Sequence, residues 1–95
     1  MEPKVIIQIL ENSKNLISPY FGVCYAIKQS FYSTTGVTIY EMYRNITELI
    51  PEFTRENAIK YAKANNYSVY WWTVSDIDNR IKFLDWLIEI YKNKL

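Results

Sequence analysis

Arg80 is the residue in this 95-residue chain whose place is hardest to reconcile with its chemistry. It falls inside the longest apolar helical pattern, between Leu84 and Leu87 when residues 76 to 93 are wound at about 100° per residue. A guanidinium within an apolar arc is costly unless it is paired. It can serve structure, as an internal pair to Glu41 or Glu48 or by snorkelling from the helix's first turn. It can also serve a partner, as a bidentate contact to phosphate or carboxylate. Just upstream, Tyr70-Trp71-Trp72 offers rings that stack on a base or anchor an interface, since Trp, Tyr and Arg dominate binding hot spots. Neighbouring side chains on extended backbone point to opposite faces, so one tryptophan is expected in the core and the other over a helix or against a partner. A third group, Phe21, Tyr25, Lys28 and Tyr32, recurs at helical spacing and makes a second candidate surface. The ligand- or partner-binding residues are therefore expected among Arg80, Tyr70, Trp71, Trp72, Tyr25 and Lys28. Arg44 and Arg55 read as solvated, and Asp76, Asp78 and Asp85 as helix-start and surface charges.

The missing residue types narrow the chemistry further. With no histidine, imidazole acid–base catalysis, Ser-His-Asp or Cys-His triads and His-ligated zinc are excluded. The single cysteine, Cys24, permits neither an internal disulfide nor a cysteine-rich metal site, and reads as a small buried hydrophobe. Gly22 and Gly36, the only glycines, cannot form a phosphate-cradling loop. No catalytic residue, metal or cofactor is expected. Eleven basic and ten acidic residues, net +1, supply no basic stripe for general nucleic-acid binding. Met1-Glu2-Pro3-Lys4 lacks a signal-like apolar region and no apolar run reaches spanning length, so a cytoplasmic, membrane-free protein is expected.

Residues of this kind must be positioned by helices. Pro3 suits a first helical turn, and Ile6, Ile9, Leu10 and Ile17 recur at helical spacing, predicting a helix over about 3 to 16. Ser18-Pro19 reads as N-cap and first position of a second helix to Tyr32, burying Tyr20, Val23, Cys24, Ile27 and Phe31. Ser33-Thr34-Thr35-Gly36 is a loop signal, and Thr38-Ile39-Tyr40-Glu41 spells a capping box for a third helix to Leu49, closed by Pro51. That helix is expected to bury Ile39, Met42, Tyr43, Ile46 and Leu49. Thr54 caps a short fourth helix through Ala58, Ile59 and Ala62, with Asn65-Asn66 as a left-handed stop. Residues 67–74 favour an extended connector by propensity, and Ser75-x-x-Asp78 offers a cap for the last helix.

The last helix, about 76 to 93, is the centre of the fold. Ile77, Ile81, Leu84, Ile88 and Tyr91 form one apolar face, with Phe83, Trp86, Leu87 and Ile90 beside it. The arc spans roughly 220°, against about 100° for an ordinary surface helix. Asp78–Lys82, Lys82–Asp85 and Glu89–Lys92 can pair on its remaining edge. Such a helix is central to its own domain or shares Phe83, Trp86, Leu87 and Ile90 with another subunit. The expectation is one all-α domain over 1–95, a compact bundle of four to five helices around the C-terminal helix, with an extended Tyr/Trp connector.

Gly22-Val23-Cys24-Tyr25-Ala26-Ile27, Leu49-Ile50-Pro51-Glu52-Phe53, Tyr70-Trp71-Trp72 and Arg80-Ile81-Lys82-Phe83-Leu84-Asp85-Trp86-Leu87-Ile88 together resemble a pattern of small bacteriophage accessory proteins. The resemblance covers most of the chain. The family carries a proline soon after its paired tryptophans, where this chain has Thr73-Val74-Ser75, implying a different local turn. What the resemblance implies is origin, a phage protein acting in the host cytoplasm, and it supplies no catalytic residues. By analogy with small non-enzymatic phage proteins, the leading expectation is a binding protein that inhibits a host function, anti-phage defence included. It would engage a host protein or sequester an anionic nucleotide-like ligand. The alternatives are an assembly protein whose second apolar helix face forms a homo-oligomer, and a nucleic-acid-binding regulator.

Overall fold

The computed structural model describes residues 1–66 and 77–95, and every regular element among them is a helix. The order is α1 (Pro3–Lys14), α2 (Val23–Thr35), α3 (Ile39–Met42), α4 (Ile46–Leu49), α5 (Arg55–Ala64) and α6 (Ile77–Lys92). The connector over 67–74, Tyr70-Trp71-Trp72 and the Ser75 cap lie outside the described residues. α6 packs most extensively on α1, and α1 on α2. The Cα radius of gyration, 12.7 Å, is that of a close-packed globule of this length.

α1 begins at Pro3, whose missing N–H would find no partner in a first turn anyway. It buries Ile6, Ile9, Leu10 and Ser13. Where α1 meets α2, the Ile9 carbonyl accepts hydroxyl bonds from Ser13 at 2.7 Å and Ser30 at 2.6 Å. Both serines are fully buried, so two small polar side chains let the helices approach closely with every hydroxyl occupied.

α2 starts four residues later than the Ser18-Pro19 signal predicts. Those two residues instead open a reverse turn, with reciprocal backbone bonds between Ser18 and Phe21, and the Ser18 hydroxyl accepts from the Tyr20 and Phe21 N–H groups. Serine followed by proline serves either structure, because both need proline's φ and a serine acceptor ahead of it. The extended Gly22 then becomes the N-cap. Tyr20 is consequently 90% exposed, and Cys24 is exposed because α2 turns Ala26, Ile27, Ser30 and Phe31 to the core, the reverse of the burial expected for both. α2 also runs on to Thr35, through the predicted loop. The Thr35 hydroxyl bonds back to the Phe31 carbonyl, and Gly36 closes the helix in the left-handed region, φ 80°, donating to the Tyr32 carbonyl.

The predicted third helix is two single turns. Glu41 accepts from the Thr38 backbone N–H and hydroxyl, so the capping box forms as read. Tyr43 then turns extended, and Asn45 caps α4 by accepting the Glu48 N–H at 3.1 Å. Asparagine's side chain competes with the helical ladder for backbone groups, and here it wins. Met42, expected in the core, is exposed as a result, while Ile39, Ile46, Leu49 and Ile50 are buried. α5 keeps its predicted start, with Thr54 accepting the Asn57 N–H, and it ends at Asn65-Asn66, where Asn66 has φ 60°.

α6 is buried along Phe83, Leu84, Leu87, Ile88 and Tyr91, with Trp86 and Ile90 half-buried against the same core. Of the four residues expected to meet a second subunit, Phe83 and Leu87 are thus covered within one chain, while Trp86 and Ile90 stay partly exposed. Tyr61 of α5 lies edge-on to Phe83 and Trp86, Phe53 packs on Phe83, and Phe83 and Leu87 are only 3% and 0% exposed. The Tyr61 hydroxyl donates to Asn79 Oδ1 at 3.0 Å, which places a polar clasp inside that contact. Asp85 reaches across to Lys14 of α1 at 2.7 Å, and Glu89–Lys92 pairs along the helix.

The C-terminal turn is tied down at Glu52. Its carboxylate accepts from Lys94 at 3.1 Å and from the Asn57 amide at 2.8 Å, and its N–H donates to the Tyr91 hydroxyl. Lys94, and then Asn57, hold the Glu52 carboxyl below its ordinary 4.5. A carboxylate with a depressed native pKa contributes stability above its unfolded value and loses it as pH falls through the native one. Melting temperature is therefore expected to drop as pH is lowered below about 4.5, and Glu52→Gln should flatten that acid limb. A Glu52→Gln titration as steep as wild type would show that other carboxylates govern it.

Candidate functional site

α2, α5 and α6 converge on a cavity of about 560 Å³. α2 contributes its first turn, from the Gly22 cap through Cys24 and Tyr25. α5 also contributes its start, Thr54 and Arg55, and α6 contributes Arg80 and Phe83. Phe53, Phe83, Ala58 and Val23 make the walls mostly apolar. The described lining carries two guanidinium groups and no carboxylate.

Its electrostatics follow from the helix ends. The first N–H groups of any helix have no intrahelical acceptor, and the macrodipole makes that end positive. α2 has no side-chain cap and no acidic residue in its first turn, so nothing on that turn neutralises it. Arg55 occupies the first position of α5, where a cation opposes the dipole. The α5 start is capped by Thr54 and carries Glu56, so the uncapped α2 start and the two arginines are what place positive charge at this mostly apolar cavity.

Arg80 is half-buried, and its Nη1 donates to the Ser18 carbonyl at 3.4 Å. The carboxylates expected to pair with it serve elsewhere, Glu41 in the Thr38 box and Glu48 with Arg44 at 2.7 Å. They are held in the α3–α4 turns by local capping, which competes at short range. Tyr25 lines the same cavity, its ring stacked on Phe21 at 4.4 Å and 18°. Lys28 does not. It lies with Tyr32 and Tyr40 in a separate cleft of about 400 Å³, its ammonium 5.1 Å from the Tyr40 ring centre. A hydrogen bond with Tyr40 keeps the Lys28 pKa above its ordinary value. Tyr70, Trp71 and Trp72 lie outside the described residues.

Two lining residues escape a reading by pattern alone. Arg55 looks like a solvated charge, although an arginine at a helix's first position, against the dipole, is a local signal of another use. Cys24 looks buried because it follows Val23 in the apolar pattern, whereas α2 turns Ala26, Ile27, Ser30 and Phe31 to the core and leaves Cys24 off that face.

Lys14, Arg44, Lys60, Lys92 and Lys94 each sit within 4 Å of a carboxylate, so much of the basic charge is interleaved with acidic charge. Among the described residues no three Cys, Asp or Glu side chains cluster to hold a metal ion, and no helix is long and apolar enough to cross a membrane. No family model, curated protein or solved structure matches the chain.

Proposed function

We propose that the chain is a non-enzymatic binding protein that takes an anionic, ring-bearing small molecule in the α2–α5–α6 cavity. The observation that carries this is the meeting of Arg55 and Arg80 at a cavity whose remaining walls are mostly apolar. Arginine presents a planar fork to phosphate or carboxylate, and phosphate groups favour helix N-termini. A flat ring has Phe53, Phe83 and the Phe21–Tyr25 stack for company. A volume of about 560 Å³ is ordinary for a small-molecule site. Sequestration fits such a site, because holding a ligand needs charge and shape complementarity and no reactive group. The phage setting, with inhibition of a host function as the outcome of sequestration, rests on the sequence resemblance.

Calorimetric titration with AMP, adenosine and inorganic phosphate separates the two halves of this reading. AMP should bind more tightly than either fragment, since it alone supplies ring and charge together. Alkylation of Cys24, the chain's one thiol and part of the cavity wall, should slow when AMP is present. Equal binding of AMP and adenosine would remove the anionic part of the proposal. Absence of binding by all three, with Cys24 unprotected, would remove the nucleotide-like ligand altogether.

A further inference from the structure

The two arginines of the α2–α5–α6 cavity reach it from different helices, Arg55 from the first position of α5 and Arg80 from the first turn of α6. Given the anion site proposed above, on which this rests, we infer that both grip one group and that it is a terminal phosphomonoester bound as its dianion.

The number of acceptor oxygens decides the class of anion. A guanidinium binds best through two parallel N–H bonds to a pair of oxygens. A carboxylate has one such pair, in a single plane, and one fork takes it. A phosphodiester likewise keeps only two free oxygens. A phosphomonoester presents three strong acceptor oxygens and carries close to two negative charges at pH 7. Its tetrahedral head offers an oxygen pair to each of two forks arriving from different directions. The charge points the same way, since two guanidinium groups at one cavity attract a dianion more strongly than a monoanion.

This choice of ligand has a pH signature. The second ionisation of a phosphomonoester falls near pH 6. The chain has no histidine, so no side-chain type it contains has an ordinary pKa between 5 and 7.5. The ionisable groups of the described cavity wall are Cys24 and Tyr25 of α2, Arg55 of α5 and Arg80 of α6. The adjoining first turns add Glu56, 3.6 Å from Lys60, and Asp78, and Glu52 beside Phe53 is held by Lys94 at 3.1 Å. A change in affinity near pH 6 therefore reports the ligand's own proton.

Calorimetric titration of the full chain with AMP and with adenosine 5′-methylphosphate, at pH 5.0 and 7.5, reads both parts. The methyl ester keeps the ring, the sugar and one negative charge, and loses one acceptor oxygen. AMP should bind roughly tenfold more tightly at pH 7.5 than at pH 5.0, following its dianion fraction. The ester should bind about tenfold or more weakly than AMP at pH 7.5 and equally at both pH values, which also controls for titration of the protein. Arg55→Ala and Arg80→Ala should each shrink the preference for AMP over its ester, because one fork alone is satisfied by two oxygens. If AMP and the ester bound equally at both pH values, both ahead of adenosine, an anion site would stand and the phosphomonoester would not. An ester whose affinity rises with pH as that of AMP does would equally overturn the dianion. A preference for AMP untouched by either arginine variant would overturn the shared grip. No binding of AMP at either pH would remove the phosphomonoester together with the anion site itself.

Discussion

Phe31→Ala is expected to cost about 3–5 kcal/mol, the range for removing a fully buried aromatic ring from a packed core. Phe31 is fully buried in α2, and its ring lies edge-on to Tyr43 at 6.1 Å. It therefore joins α2 to the extended residue that separates α3 from α4. The gap left by the ring is bordered by helices already fixed by their own contacts, so the site can collapse only partly. A domain of this size has a net stability of about 5–14 kcal/mol, so the loss removes a large share of it. Thermal unfolding followed by circular dichroism should show a melting temperature lower by roughly 12 to 40 °C, at about 4–8 °C per kcal/mol. Gln29→Ala, at an exposed position of the same helix, should shift it by less than about 0.5 kcal/mol equivalent. Comparable shifts for the two would mean that α2 is not the buried partner of α1 described above.

Arg80→Ala carries the second large effect, on ligand affinity. A hydrogen bond to a charged group is worth about 1.5–3 kcal/mol, which translates into roughly 10- to 150-fold weaker binding of AMP. Arg80→Lys keeps the charge and loses the planar fork, so its affinity should fall between wild type and Arg80→Ala. Because Arg80 also donates to the Ser18 carbonyl, Arg80→Ala can loosen the turn before α2, and the melting temperature must be read beside the affinity. Arg55→Ala supplies the independent check, since Arg55 reaches the cavity from a different helix, exposed on the first turn of α5. That variant should also lose affinity, with its melting temperature read beside it. If Arg80→Ala and Arg55→Ala, both folded, bound AMP as wild type does, the α2–α5–α6 cavity would not be the anion site.

Capping shows how far local chemistry can be read and where it becomes ambiguous. Thr38 with Glu41, Thr54 with the Asn57 N–H, and Pro3 at the start of α1 all act within one helical turn, so the residues that decide the outcome are adjacent in the chain. Ser18-Pro19 is equally local, yet it suits a helix start and a reverse turn alike, and Gly22 two residues beyond the turn's middle becomes the cap. Asn45 is similar. The apolar rhythm of residues 39 to 49 is helical, and the break appears only because one amide side chain captures the Glu48 N–H.

The wide apolar arc of residues 77 to 92 required cover on two sides, and periodicity alone established that much. Which segments supply the cover depends on contacts between residues far apart in sequence. α1 takes one side, and α5 with Phe53 takes the other through Tyr61, leaving no bare face at Phe83 and Leu87 for another subunit. The same packing brings Arg55 and Arg80 to one cavity and sends Lys28 to another. The all-helical class, most helix ends and the absence of imidazole chemistry belong to the chain as written, because propensity, capping and residue type act within a few residues. The cavity and its paired arginines belong to the way α2, α5 and α6 pack, because burial depends on which distant segments supply the cover.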